Sequence, residues 1–360
     1  MREAQSGREQ SDSSNAAPSG ALIRLARIAL IVALALLSLW LVAKILLYIF
    51  AGILLAILLR GLAEWLHEQS RLPVGWSLAV VVIAILAIVA AVDYFLAPRV
   101  GLEFNELLKQ IPAGLDRITQ HLEQSPWGQS IVNELQPGHG GISARAVAGR
   151  FFGIASTTFG ILVAVIVVLF IGLYGAADPE VYVTGTVRLF PFERRARIRE
   201  VLHEMARALR WWLLGRLISM AVIAVMTGVG LWLIGVKLAF TLGLLAGTLS
   251  FVPYLGSISS AIPAALIALT QSTTMVLYVI VLYVLVHIAE GYILLPLMQK
   301  KMVHLPPALT LSMQAILGTL LGIVGIALAT PLTAAAMAAT RMLYVEDVLH
   351  DTETGDARKR

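Results

Sequence analysis

Long uncharged runs separated by short charged ones dominate the chain. From Ile28 to Leu59 the only charged residue is Lys44, and Arg24 and Arg27 precede the run. A helix needs about 20 residues to cross about 30 Å of hydrocarbon. The run is too long for one crossing and a little short for two. Extended back to Leu22 and forward to Leu66, it accommodates two helices turning near Lys44, which is the arrangement predicted; one long tilted helix is the alternative. Residues 67–77 are a polar turn with proline and glycine, Leu78 to Leu96 is the next crossing with Asp93 near its end, and Pro98 is expected to close it.

Residues 99–150 are the longest polar stretch in the body. Within them Leu107, Leu108, Ile111, Leu115, Ile118 and Leu122 recur at helical spacing, an amphipathic helix that PGHGG at 137–141 breaks. Phe151 to Gly175 is another crossing. Asp178-Pro179-Glu180 opens an arginine-rich helix over 178–212, and Leu213 to Ile234 crosses again. Beyond it the runs shorten. Leu238–Leu249 precedes FVPYLG at 251–256, and Ile258–Leu269 holds Pro263. A helix over 273–297 contains His287, Glu290 and Pro296, and Lys300 and Lys301 follow it. Pro306-Pro307 then lead into a run with glycines 318, 322 and 325 and Thr330-Pro331.

This pattern predicts an all-α, polytopic integral membrane protein with about eight membrane segments, some short and broken by proline or glycine. The organisation is a polar disordered tail (1–21), three membrane helices (22–98), an extracytoplasmic helical segment (99–150), a membrane transport region (151–345) and a second tail (346–360). Composition supports it. Mean hydropathy is +0.83. The chain has 360 residues, 58 % of them apolar and 14 % charged, too many apolar side chains for a soluble core to hide. It has no cysteine, which excludes disulfides and thiolate chemistry. The net charge of +5 lies in short clusters flanking apolar runs, which argues against a nucleic-acid partner and for membrane lipid.

Charge also orients the chain. Residues 188–216 carry eight arginines against three glutamates, the mark of a cytoplasmic segment, whereas residues 99–150 balance five basic against five acidic residues and belong outside. One crossing separates them. Counting back through two helices over 22–66 places the N-terminal tail in the cytoplasm together with the C-terminal one. Arg194, Arg195, Arg197 and Arg199, with Lys300 and Lys301, read as anchors on anionic lipid; binding of an anionic substrate is the lesser reading of the arginines.

Residues 242–269 and 317–340 echo one another: both are apolar, glycine-rich and interrupted near the middle by proline. Paired broken segments mark transport sites, although glycine and proline are also ordinary in membrane helices. The candidate substrate path is Pro253, Tyr254 and Gly256 in the first segment and Thr330 and Pro331 in the second, where a broken helix frees carbonyls for a cavity. Glu290 is the only acidic residue between Glu204 and Glu346. It lies about 15 Å from Lys300 along a helix, near mid-bilayer, where a carboxylate is expensive and usually functional. His287, three residues earlier, shares its face. The two are candidates for coupling to a proton or sodium ion. A structural hydrogen bond for Glu290 and plain packing for His287 are the alternatives. No GxxxxGK[ST] or HExxH occurs, so neither a nucleotide, a metal nor another cofactor is expected, and the chain does not read as an enzyme.

Four stretches also carry a resemblance. They are WWLLGRLISMAVIAVMTGVGLWLIGVKLAFTLGLLAGTLSFVPYLGSISSAIPA (211–264), AEGYILLP (289–296), VHLPPALTL (303–311), and LGIVGIALATPL (321–332) leading into LYVEDVL (343–349). In order and spacing the chain resembles the AI-2E family of transporters over residues 22 to 349. Ser257 stands where the family often has proline, and Tyr292 where it often has asparagine, which marks a divergent branch. The resemblance implies small-solute transport, eight or so crossings, a large extramembrane segment before the fourth of them, and a homo-oligomer in the inner or plasma membrane. Export of a solute or signal driven by an ion gradient is the leading function. A sodium (lithium)/proton antiporter and a non-transporting scaffold or channel-like oligomer remain the alternatives.

Overall fold

The computed structural model describes residues 19–123, 158–294 and 305–350, and every regular element among them is helical. In chain order these are α1 (Ser19–Ser70), α2 (Val74–Glu123), α3 (Thr158–Ala177), α4 (Pro179–Arg188), α5 (Arg195–Ile234), α6 (Ala239–Leu249), α7 (Leu255–Gln271), α8 (Thr273–Ala289) and α9 (Pro307–Thr340). Short π turns follow α8 (Glu290–Leu294) and α9 (Arg341–Glu346). Among the described residues five helices are long and apolar enough to cross a membrane, six if α3 and α4, bent by 91° at Asp178, count as one span. The chain is thus an all-α, multi-span bundle, and its described residues supply five or six membrane-length helices against the eight or so segments expected.

The chain divides into two units, Met1–Leu47 and Tyr48–Arg360. The described part of the first is the start of α1. Its side chains are exposed all round from Leu30 to Val42, as in a helix made to face lipid. The expected turn near Lys44 is absent: α1 is unbroken. No glycine or proline lies between Ala21 and Ala51 to start a turn. The lysine is accommodated by stacking, its ammonium 5.1 Å over the Trp40 ring, while its stem stays apolar.

In the second unit, the end of α1 packs with α2 and α3 around Ala56, Leu59, Ala63, Leu78, Val81 and Ala176. Pro98 does not end α2, which runs on to Glu123. The carbonyl it would free belongs to Tyr94, and both residues are exposed, so the lost hydrogen bond is not buried. Likewise the arginine-rich helix and the crossing after it are one 40-residue helix, α5. Small residues bring α6 tightly against α5: a Cβ placed on Gly243 would lie 2.5 Å from Gly228 Cα, and one on Gly247 2.5 Å from Ala224 Cβ.

Two helical hairpins follow from local chemistry. The first is α6 and α7, which turn back at residues 250–254. Buried Leu242 of α6 shares a core with Ala264, Ile267 and Ala268 of α7. At the turn Tyr254 has φ of 64°, and Gly256 lies so close to the Leu249 carbonyl that no side chain fits. The second hairpin is α9 itself. Gly322, at φ 68° and ψ −150°, is non-helical. Its dihedrals lie in a region open essentially to glycine alone. Around it, a Cβ on Gly318 would come within 2.6 Å of the Ile326 side chain, and Gly325 abuts the Leu317 carbonyl. Residues eight apart in a straight helix are about 12 Å apart. Residues 307–321 and 323–340 are therefore antiparallel arms, and the length of α9 is not that of a single crossing. The break expected at Pro331 lies instead at Gly322: proline keeps helical φ and costs a hydrogen bond, whereas only a positive φ reverses the chain.

Candidate functional site

The side chains of Arg216 and Glu290 meet inside the bundle. Arg216 projects from α5, and Glu290 follows the last residue of α8, where the helix loosens into a π turn. Arg216 Nη1 donates to Glu290 Oε1 at 3.3 Å, and Arg216 Nε donates to the Phe251 carbonyl at 3.1 Å. That carbonyl belongs to the turn of the first hairpin, which the helix break leaves without a helical partner. Trp212, one turn before Arg216, meets the Phe251 ring edge-on at 5.9 Å. The Arg216 and Glu290 side chains are 9 % and 14 % exposed. His287 Nδ1 lies 3.5 Å from Glu290 Oε2, and its ring is 47 % exposed. Three elements thus converge on one carboxylate: α5, the turn at 250–254, and the end of α8.

The pair sits far along both of the helices that carry it. Glu290 is about 25 Å along α8 from Thr273, and Arg216 about 27 Å along α5 from Ile234. Since α5 ends where the first hairpin begins and α8 begins where it ends, both distances run from the same end of the bundle. The expected depth was counted from Lys300, which with Lys301 and Pro296 lies outside the described residues.

Two of the candidate path residues, Pro253 and Thr330, meet at a residue not singled out from the sequence. Gln314, on the first arm of α9, donates from Nε2 to the Pro253 carbonyl at 3.3 Å and to Thr330 Oγ1 at 3.4 Å. The turn of one hairpin and both arms of the other are therefore stitched at one buried amide. Thr330 and Pro331 are buried, and Tyr254 is exposed. Two signals could have found the missed residues. Arg216 is the only charged residue between Leu213 and Ile234, and Gln314 is the only residue between Pro306 and Thr340 with a charged or amide side chain.

The arginine cluster has protein partners. Arg195 donates from Nε to the Phe190 carbonyl at 3.1 Å and lies 5.6 Å over the Phe192 ring. Arg199 pairs with Glu180 at 3.0 Å and donates to Thr184 Oγ1 at 3.1 Å. Arg197 joins Asp347 at 2.8 Å, Glu200 at 2.8 Å and Glu346 at 3.0 Å, and also donates to the Met342 carbonyl at 3.1 Å. Hydrogen bonds to Asp347, Glu200 and Glu346 hold its guanidinium above the usual arginine range. Arg197 thus clamps the end of α9 to the start of α5, while Arg194 is exposed. Among the described residues no three His, Asp or Glu side chains gather as a metal site would require.

A multi-span helical membrane protein with a buried ion pair at the turn of a helical hairpin is the class that fold and site define. The chain belongs to the AI-2E transporter family, whose model matches residues 29–344. It is therefore a membrane transporter, a multi-pass protein of the inner or plasma membrane, and not an enzyme. It is similar to YrrI of Bacillus subtilis (strain 168), 27 % identical over 304 residues that cover 82 % of this chain and 86 % of that protein. YhhT of Escherichia coli (strain K12) is 25 % identical over 310 residues, 81 % of this chain and 82 % of its own. The protein sll0060 of Synechocystis is 21 % identical over 312 residues, 83 % and 86 % of the two chains. Each of these relatives is named provisionally for a role in transport.

Proposed function

We propose that the chain carries a small solute out of the cell and couples it to a proton or sodium gradient through Glu290. The observation that carries this reading is the contact of Glu290 with Arg216, and of Arg216 with the turn carbonyl of Phe251. A charged pair in a low-dielectric bundle is stable only while both charges are present. A proton or sodium ion on Glu290 removes the counter-charge of Arg216, and the guanidinium is then driven toward another partner or toward water. Because Arg216 also holds the hairpin turn, ion arrival loosens that turn. His287 is positioned to deliver or share the proton. Pro253, Tyr254, Gly256 and Thr330 line the path in this reading, and the two hairpins dip into the membrane without spanning it, which accounts for the short arms. Lipid covers the exposed apolar helices. Assembly as a homo-oligomer rests on the family resemblance.

The test is flux in proteoliposomes against a solute panel, with and without imposed proton and sodium gradients. Gradient-dependent movement of a solute supports the reading. Sodium–proton exchange with no solute moved selects the antiporter, and no flux of any kind leaves a scaffold or channel-like oligomer.

The orientation proposed puts residues 67–77, 176–212 and the C-terminal tail in the cytoplasm and 97–150 outside. Since the chain has no cysteine, single cysteines report it directly. Ser125→Cys is expected to react with an impermeant maleimide on intact cells, and Thr354→Cys only after lysis; the reverse result inverts the topology. With α1 unbroken and residues 67–77 in the cytoplasm, Ser13→Cys is expected to react on intact cells, and reaction only after lysis would require a turn within α1.

A further inference from the structure

We propose that Gln314 is a solute-binding residue, its side-chain oxygen accepting a hydrogen bond from an O–H or N–H group of the transported molecule. This deepens the transport reading and rests on it. Gln314 is 1 % exposed, and its Oε1 has no hydrogen-bond partner. The amide cannot be turned round to cure this. The Pro253 carbonyl only accepts, so Nε2 must face it and Oε1 must face away. A buried acceptor left without a donor costs about 1–3 kcal/mol, a cost that persists where the vacancy has a use.

Thr310, one turn before Gln314, gives its own hydroxyl to the Pro306 carbonyl and not to the amide oxygen. Among the described residues no carboxylate or cation is bonded to Gln314, Thr330 or the Pro253 carbonyl. No charged group among them bonds to the amide itself, and the acceptor selects for what a ligand must bring. A hydroxyl, amine or amide N–H satisfies it. A carboxylate or sulfate oxygen, with no hydrogen to give, meets an oxygen and is rejected, since like partners leave both groups unpaired.

The position also explains how solute and ion would be felt together. Arg216 holds the carbonyl of Phe251, and Gln314 holds that of Pro253. These are two residues apart in one turn, at most about 7 Å along the chain. Occupancy at Gln314 and charge at Glu290 thus act on the same short segment, a contiguous physical link rather than a remote one.

The experiment uses the purified full chain in proteoliposomes and measures exchange at equal ion gradients. The probes are erythritol, ribitol, ethanolamine and acetamide, set against succinate and sulfate. Exchange is expected among the first four and not the last two. Gln314→Leu is expected to raise KM by about tenfold, the worth of one hydrogen bond, with kcat little changed. Thr330→Val removes the second of the two hydrogen bonds that hold the amide in place and is expected to raise KM by a smaller factor, which keeps the test alive if the leucine variant fails to fold. An unchanged KM in whichever variant folds, exchange confined to the two anions, or no exchange of any probe overturns the assignment. Failure of the coupling reading is separate: it shows as wild-type flux indifferent to gradients, whatever happens to KM.

Discussion

Glu290→Gln is expected to destabilise the protein, and a second change, Arg216→Gln, to restore much of what is lost. The single variant strands a guanidinium that is 9 % exposed with no counter-charge. Removing one member of a buried pair costs about 3–5 kcal/mol, and the low end applies here because Glu290 keeps some exposure. Arg216→Gln is milder, since the carboxylate left behind can take a proton or turn to His287 at 3.5 Å. In the double variant two neutral amides can bond to each other and to the Phe251 carbonyl. The expected order of thermal stability is wild type, double variant, Arg216→Gln, then Glu290→Gln. Unfolding of the detergent-purified proteins, followed by size-exclusion fluorescence, gives the coupling energy. A double variant that loses the sum of the two single losses would mean that the side chains do not act as a pair. His287→Ala adds a reading of the proton: a shifted pH profile of flux is expected if it shares one with Glu290, and an unshifted profile makes it a packing residue.

The second large effect is expected at Gly322. Its dihedrals of φ 68° and ψ −150° are closed to residues with a Cβ, at a cost of about 1–3 kcal/mol where the fold tolerates them at all. Gly322→Ala should therefore favour continuing the helix through residue 322, which pulls the arms apart and separates Gln314 from Thr330. Loss of folded protein, or folded protein with little flux, is expected. Pro331→Ala is the contrast. It lies inside a regular helical arm, and its replacement is expected to leave assembly and flux near wild type. Equal behaviour of the two variants, measured as monodisperse yield and flux per protein, would sink the assignment of the turn to Gly322.

Much of the fold was legible because lipid imposes a simple rule: uncharged runs of sufficient length become helices. That rule fails where it counts lengths without causes. It split α1 at Lys44, although nothing there breaks a helix and Trp40 offers the lysine a place. It placed the second break at Pro331, because proline is the conspicuous residue. Glycines 318, 322 and 325 were visible, but which of them takes a positive φ depends on the packing of the finished hairpin. The site was legible in half. Glu290 stood out as an isolated carboxylate, and Pro253 and Thr330 as members of an internal echo. Arg216 was hidden among seven other arginines, and its pairing with a residue in another helix is non-local information. Gln314 carries no charge and so gave no alarm, yet it is the residue that joins the two echoing segments.

The most direct measurement compares gradient-driven accumulation with exchange at equal gradients in the Arg216→Gln/Glu290→Gln protein, reconstituted beside wild type with a solute that wild type exchanges. With both charges gone the path is intact but no ion can trade places with Arg216 at the carboxylate. Exchange is expected to persist while accumulation against the solute gradient disappears. Accumulation at the wild-type level in the doubly neutral protein would contradict the account.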